Sequence, residues 1–336
     1  MGYGGDLIWT GVFKALNEET GQPMTVVHKP RLTDCLAGRL YDATVSLAAS
    51  PIFRNNPRLR FNEAKPRGLA ARTMDLALAA LLKPRPLKTA FEEYIFRRAE
   101  RLYQEGGPRY VHVDMAIHSY AERQLAERFI WKQGGHATAV IARRFTKRTP
   151  ERTCELYFSE AEENAIDRFL VTKRVASPFI ALDNGTNQDW FGDLRAWPAE
   201  RWQETVNRLR ADRPEISVIQ IGLESAPPLD GVVDLRGQTN FREAALVIKR
   251  SALFIGTESG PMHAARAVEA RSVILWGGVT LPEFTGYPDH HRVICTYVAC
   301  APCGRLGTCY NGHICMTDIT VDDALAAIDV LLETAT

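Results

Sequence analysis

The chain reads as an α/β protein of two domains, and three observations carry that expectation. Apolar runs such as Ala252–Ile255 and Ser272–Trp276 have the length of buried parallel strands. They alternate with amphipathic stretches long enough to be helices, the order of a parallel sheet covered on both faces. The third is size: 336 residues exceed what one compact core usually holds.

In the front half, residues 2–6 read Gly-Tyr-Gly-Gly-Asp and precede a helical pattern from Leu7 to Leu16 that ends near Gly21. A glycine-rich turn in an α/β unit normally follows a strand, and only Met1 precedes this one, so either the numbered chain starts late or the domain lacks its first strand. Next come a strand at Met24–His28, a helix at Leu32–Leu40, a strand at Ala43–Leu47 and the turn-rich FRNNPR at 53–58. Thr73–Leu82 and Thr89–Gln104 have helical patterns. Tyr110–Val113 is a short strand leading through Asp114 to His118, and an amphipathic helix is expected over Ser119–Gln133. The basic, proline-containing RRFTKRTPERT at 143–153 lacks apolar periodicity and reads as the approach to a linker, dividing residues 1–155 from 156–336.

The second series restarts with a helix at Ser159–Leu170, where Ser159 and Glu162 have capping-box spacing. It continues with strand 179–182, helix 198–211, strand 217–221, helix 241–250, strand 252–255, helix 261–269, strand 272–276 and a last helix at Val321–Thr334.

Composition excludes several classes. A hydrophobic content of 46% and a charged content of 24% are ordinary for a globular chain, not a disordered one. No apolar run approaches the ~20 residues needed to cross a bilayer. The N-terminal MGYGGDLIWTG has neither the basic flank nor the apolar core of a secretion signal, so a cytoplasmic location is expected. The net charge of +1 hides an asymmetry: up to Ala176 there are 28 Lys and Arg against 20 Asp and Glu, and beyond it 13 against 20. A positive front half attracts anionic partners, although charge of this size also fits a solvated surface. Nucleic acid is not expected, because the basic half lacks interleaved aromatics and a reading element.

Three loops in the second series follow strand ends and would converge on one crevice. Asp183-Asn184-Gly185-Thr186-Asn187 offers amides and a hydroxyl suited to phosphate oxygens, and leads on to Arg195-Ala196-Trp197-Pro198. Gly222-Leu223-Glu224 places a carboxylate where a ribose would present its hydroxyls. Gly256-Thr257-Glu258-Ser259-Gly260 runs from strand into helix with Pro261 near the first helical position, leaving free N–H groups where a diphosphate would settle. Each alone fits an ordinary turn; together they form a nucleotide-diphosphate site.

The succession RAWPAERW, DLRGQTNFREAALVIKRSALFIGTESGPMHAARAVEARSVILWGG and CAPCGRLGTCYNGHIC resembles the lipopolysaccharide heptosyltransferases of glycosyltransferase family 9. It covers nearly all of the second domain, and GYGGD before a helix is similar to the family's GD element. The resemblance implies a GT-B architecture, two Rossmann-like domains with parallel sheets facing across a cleft. It also implies an ADP-heptose donor held by the second domain, an acceptor presented by the first, inversion at the anomeric carbon, and no cofactor or metal required for catalysis.

Carried over by motif, Asp6 is the base that takes the proton of the acceptor hydroxyl. Asp6 also directly precedes the expected helix and is a natural N-cap, so capping and catalysis compete for one carboxylate. Thr186, Asn187 and Arg195 would hold the diphosphate, with Arg195 in place of the family's frequent lysine and stabilising the departing ADP oxygen. Glu224 would hold the ribose. Ser259 and Gly260 would offer backbone N–H groups, and His263 a ring donor, unless that helical histidine is simply packed. Glu258 stands where many relatives have Asp and reaches one methylene further, which leaves the transferred sugar open. Asp114 and His118 are candidates for acceptor recognition.

Cys300, Cys303, Cys309 and Cys315 give C-x2-C-x5-C-x5-C, spacing able to hold a structural zinc or iron, or simply free thiols. The expected acceptor is an anionic lipopolysaccharide core or similar glycan at the inner face of the cytoplasmic membrane, with peripheral membrane contact. Two rival readings keep the fold: a heptosyltransferase acting on protein serine, and a catalytically silent nucleotide-binding protein.

Overall fold

The computed structural model describes residues 3–27, 50–60, 68–81, 86–87, 90, 94, 110–112, 135–143, 145–186, 192–304 and 308–334. The expected strand at 43–47 and the helices at 32–40 and 119–133 lie outside them, as does nearly all of 89–104, and so do Asp114, His118 and Asn187. By contact the chain forms two compact units, one of Ile8–Arg152 and a second of Gly2–Leu7 with Thr153–Thr336.

Helix α1 (Tyr3–Thr20), whose residues from Ile8 on belong to the first unit, buries Trp9, Val12, Phe13 and Leu16, the i, i+3, i+4, i+7 stripe of an amphipathic helix. Trp9 stacks on Phe13 at 5.7 Å, and Phe13 meets the edge of Phe53 at 5.9 Å. Gly21, at φ 66°, ends the helix as expected, its N–H bonded to the Asn17 carbonyl. The start of α1 differs from expectation. Residues 3–6 are not a turn but the first helical turn, so Asp6 lies inside the helix instead of capping it. The reason is packing within the second unit: Tyr3 lies 4.6 Å from the Phe241 ring, and a Cβ on Gly4 would meet His263 Cδ2 at 2.7 Å. Glycine at position 4 is what lets the helix begin this close to an imidazole.

Strands β1 (Met24–Val27), β2 (Leu59–Arg60) and β3 (Tyr110–His112) form a parallel sheet in the order β2-β1-β3. Helix α2 (Leu69–Leu81) leaves Leu69, Met74, Leu76 and Leu81 exposed. Helix α3 (Ala137–Ala142) is nearly all buried and too short to show a period, so the sequence gives no sign of it.

The second unit contains α4 (Glu160–Thr172), β4 (Phe179–Asp183), α5 (Ala199–Asp212), β5 (Ser217–Gln220), β6 (Val233–Asp234), α6 (Phe241–Arg250), β7 (Leu253–Thr257), α7 (Gly260–Ala267), β8 (Ser272–Trp276), α8 (Pro282–Thr285), β9 (Arg292–Cys295), α9 (Ile314–Thr317) and α10 (Val321–Glu333). Its six strands are all parallel, in the order β6-β5-β4-β7-β8-β9. The chain starts at the centre with β4, builds outward to β6, then returns to β7 on the other side and builds outward to β9. That reversal makes the gap between β4 and β7 a topological switch point. Ile180, Leu182, Leu253, Ile255, Val273 and Leu275 pack with Trp202, Val206 and Leu209 of α5 and with Ile328 of α10 in one core. The expected capping box holds: Ser159 and Glu162 bond reciprocally. Glu162 also receives Arg242 from α6, an almost buried guanidinium at 2.7 Å that lies over the Phe158 ring.

Candidate donor site at the switch point

The register pairs Asp183 with Gly256, so the turns leaving β4 and β7 begin side by side. From β4 come Asn184, Gly185 and Thr186; from β7 come Glu258, Ser259 and Gly260, the last opening α7. Ser259 is the N-cap of α7 yet makes no side-chain capping bond, and Pro261 brings no N–H that would need one, so the helix end presents the positive pole of its dipole uncapped by a side chain. Beside it, Thr257 Oγ1, Glu258 Oε2 and Ser259 Oγ are buried with no hydrogen-bond partner. Three consecutive side chains holding unpartnered oxygens are costly in an apolar interior, which marks a place built for a polar ligand.

Arg195 closes the site from a 3-10 turn, Gly192–Arg195. It pairs, across 63 positions, with Glu258: Nη2 lies 2.9 Å from Oε1, and both side chains are largely buried. Thr280 donates its hydroxyl to the same Oε1 at 2.7 Å. Burial pushes the Glu258 carboxyl above the usual range, opposed by the Arg195 charge and by the hydroxyls of Thr280 and Thr285. The arrangement gives one cation and one buried carboxylate at the helix pole, with the second carboxylate oxygen unused.

Glu224 is exposed, past the end of β5, and Gly237 at φ 66° leaves room for it: a Cβ there would come within 2.9 Å of the Glu224 Cβ. His263 is buried, its Nδ1 2.8 Å from the Tyr287 hydroxyl, so its ring is engaged in packing. Asp6 is half-buried in the first turn of α1, and Gly4 of that turn rests on His263 in the first turn of α7.

Cys300, Cys303, Cys309 and Cys315 line one cavity together with His313 and Leu194. Among the described residues, however, no three His, Cys, Asp or Glu side chains are gathered closely enough to hold a metal ion. A zinc or iron there would require the thiols to draw together, so they do not form a ready ligand set.

Asp183 has a larger place than its sequence context indicates. Its buried carboxyl accepts the Gly185 N–H at 3.0 Å and is walled by Gly222, where a Cβ would fall 2.4 Å from Oδ1. Burial pushes its pKa up to about 7, against the Gly185 bond that lowers it.

The fold defines the class: a doubly wound α/β protein whose strand order reverses between β4 and β7. The sequence matches glycosyltransferase family 9 (heptosyltransferase) over residues 135–313, more than half of the chain, and the chain belongs to that family. It is a glycosyltransferase. Compared with curated protein sequences it matches none. Among solved structures it is similar to the glycosyl transferase family 9 protein of Veillonella parvula (14% identity, 99% of this chain and 95% of that one, TM-score 0.62). It is also similar to E. coli ADP-heptose lps heptosyltransferase II (18%, 100% and 97%, TM-score 0.55). A third is TibC of enterotoxigenic E. coli, a dodecameric iron-containing heptosyltransferase solved in complex with ADP-D-beta-D-heptose (13%, 99% and 74%, TM-score 0.56). These likenesses show the fold, which is GT-B.

Proposed function

We propose that the protein transfers a heptose-type sugar from ADP-heptose to a hydroxyl of a lipopolysaccharide core or a similar anionic glycan, inverting the anomeric centre. The observation that carries this reading is the buried Arg195–Glu258 pair beside unpartnered oxygens at the α7 pole. The diphosphate lies against the N–H groups of Ser259 and Gly260 and against Thr186, with Asn187 assigned to it by the sequence motif alone. Glu258 Oε2 accepts a hydroxyl of the sugar, and Glu224 accepts the ribose. Asp6 removes the acceptor proton as the acceptor oxygen forms its bond to the anomeric carbon. The bond from that carbon to the diphosphate breaks on the opposite face, and Arg195 stabilises the charge left on ADP. The proton ends on Asp6; every step uses the chain's own residues. An ADP-heptose donor is supported by the solved heptosyltransferases of the same fold, whose names carry it.

Titration with ADP, GDP and UDP tests the donor reading. ADP is expected to bind best, and Arg195→Ala to weaken it about 10- to 100-fold, the worth of one charge-assisted hydrogen bond. Tighter binding of UDP or GDP would overturn it. Offering deacylated core sugar beside candidate polypeptides tests the acceptor, and transfer to serine alone would move the reading to a protein substrate.

Helix α2 supports a lipid-linked acceptor. It leaves Leu69, Met74, Leu76 and Leu81 exposed, and the sequence in and around it carries Lys65, Arg67, Arg72, Lys83, Arg85 and Lys88 with Asp75 as the one acid from 64 to 91. At 13 residues, about 20 Å, it can lie on a bilayer but not cross one. We expect Leu76→Glu to lower partitioning onto anionic vesicles roughly tenfold, by loss of one buried leucine. Equal binding by the variant and the wild type in a sedimentation assay would reject this contact.

A further inference from the structure

The carbonyl of Leu194 accepts a hydrogen bond from His313 Nε2 at 2.9 Å, across 119 positions. Because a carbonyl oxygen can only accept, that nitrogen carries the proton. Leu194 C=O and Arg195 N–H belong to one planar peptide unit whose far corner is the Arg195 Cα. Holding the oxygen therefore fixes the plane from which the Arg195 side chain departs. We infer that His313 is a positioning residue for Arg195, setting the guanidinium at the distance from Glu258 at which it can serve a diphosphate.

Three further features agree. His313 stands at φ 58°, ψ 28°, a left-handed conformation uncommon for a residue with a Cβ, directly after Gly312 at φ 59°. This backbone turns the imidazole toward Leu194 at a local conformational cost, and such costs persist where surrounding structure uses them. The chain beyond His313 fastens the same stretch twice more: Trp197 Nε1 donates to the Ile319 carbonyl at 2.9 Å, and Arg201 donates to the carbonyls of Thr317 and Ile319. Of these ties, the His313 bond alone is to the peptide unit adjoining Arg195. Finally, Gly277 leaves the space this contact needs, since a Cβ there would lie 3.1 Å from the Leu194 oxygen and 3.0 Å from Met316 Sδ. His313 and Leu194 also line the thiol cavity with Cys300, Cys303, Cys309 and Cys315.

The inference rests on the donor reading, and a cycle of variants separates the two. His313→Ala is expected to raise the ADP Kd about tenfold and to raise KM for the nucleotide sugar more than it lowers kcat, because the step lost is placement of a binding cation. His313→Gln, which keeps an N–H donor, should return the ADP Kd to within about threefold of wild type. Arg195→Ala with His313→Ala should bind ADP no more weakly than Arg195→Ala alone, since His313 acts through the residue already removed. Thermal melting is followed for every variant. A His313→Ala protein that melts lower yet binds ADP normally, or effects that add in the double variant, would overturn the positioning role and leave the donor reading standing. If Arg195→Ala itself leaves ADP binding unchanged, the donor reading fails first and this inference with it.

Discussion

Asp6→Asn is expected to lower sugar transfer by about 10²- to 10⁴-fold, the range a positioned general base supplies, while ADP affinity stays near wild type. Asparagine keeps the size and the hydrogen-bonding reach of the carboxylate but cannot take the acceptor proton, so the loss should fall on kcat. The position of Asp6 within α1 matters to this expectation. Had it been the N-cap, the substitution would have been almost neutral for the helix and ambiguous for chemistry. In the first turn, its carboxylate is held by helical backbone whose start is seated, through Tyr3 on Phe241 and Gly4 on His263, against the end of the sheet where α7 begins. An initial-rate assay with ADP-heptose and deacylated core sugar, beside ADP titration, checks both halves. Full turnover by Asp6→Asn would remove Asp6 as the base, and loss of ADP binding in parallel would assign it to the donor instead.

The Rossmann-like sheet was largely legible because its strands are the simplest signal a sequence carries. Phe179–Asp183, Leu253–Thr257 and Ser272–Trp276 are buried at every position, so their apolar stretches FIAL, LFI and VILW stand out between turn residues. The edge strands β6 and β9 were not legible: Val233–Asp234 is two residues long and Arg292–Cys295 alternates nothing, so only pairing with β5 and β8 defines them. At the site, Arg195 and Glu258 were both visible as residues after strand ends, but in separate roles. Their ion pair joins a 3-10 turn to the turn after β7 across 63 positions, a contact no local spacing announces. His313 carried no signal at all, because its meaning lies in a hydrogen bond to a backbone oxygen 119 positions away. The cysteines were the reverse case: their spacing is loud, yet the fold brings them to one cavity wall without closing them into a ligand set.

Asp183 is the second place where a large effect is expected, and here the measured quantity is stability against pH. Its carboxyl is buried at the carboxyl end of the central strand, and its pKa is raised from 3.8 to about 7. A raised acid pKa means that, between these two values, the native state holds a proton the unfolded chain has released. Stability from this group is therefore fully present below the unfolded pKa, falls as pH rises toward 7, and is flat above it. A shift of this size corresponds to about 4 kcal/mol at most, and relaxation around the charge would bring the observed value to roughly 2–4 kcal/mol. Asp183→Asn keeps an oxygen for the Gly185 N–H and has nothing to ionise. The variant should therefore gain on wild type steadily between pH 4 and pH 7 in denaturant unfolding, and by a constant margin above that. A difference that does not change with pH would show that Asp183 titrates normally. The same carboxyl borders the turn proposed to meet the donor diphosphate, so an arriving anion would drive it further toward its protonated form. ADP binding near pH 7 is then expected to take up protons from solution, visible as a heat of binding that depends on the ionisation enthalpy of the buffer, and this dependence should shrink in Asp183→Asn.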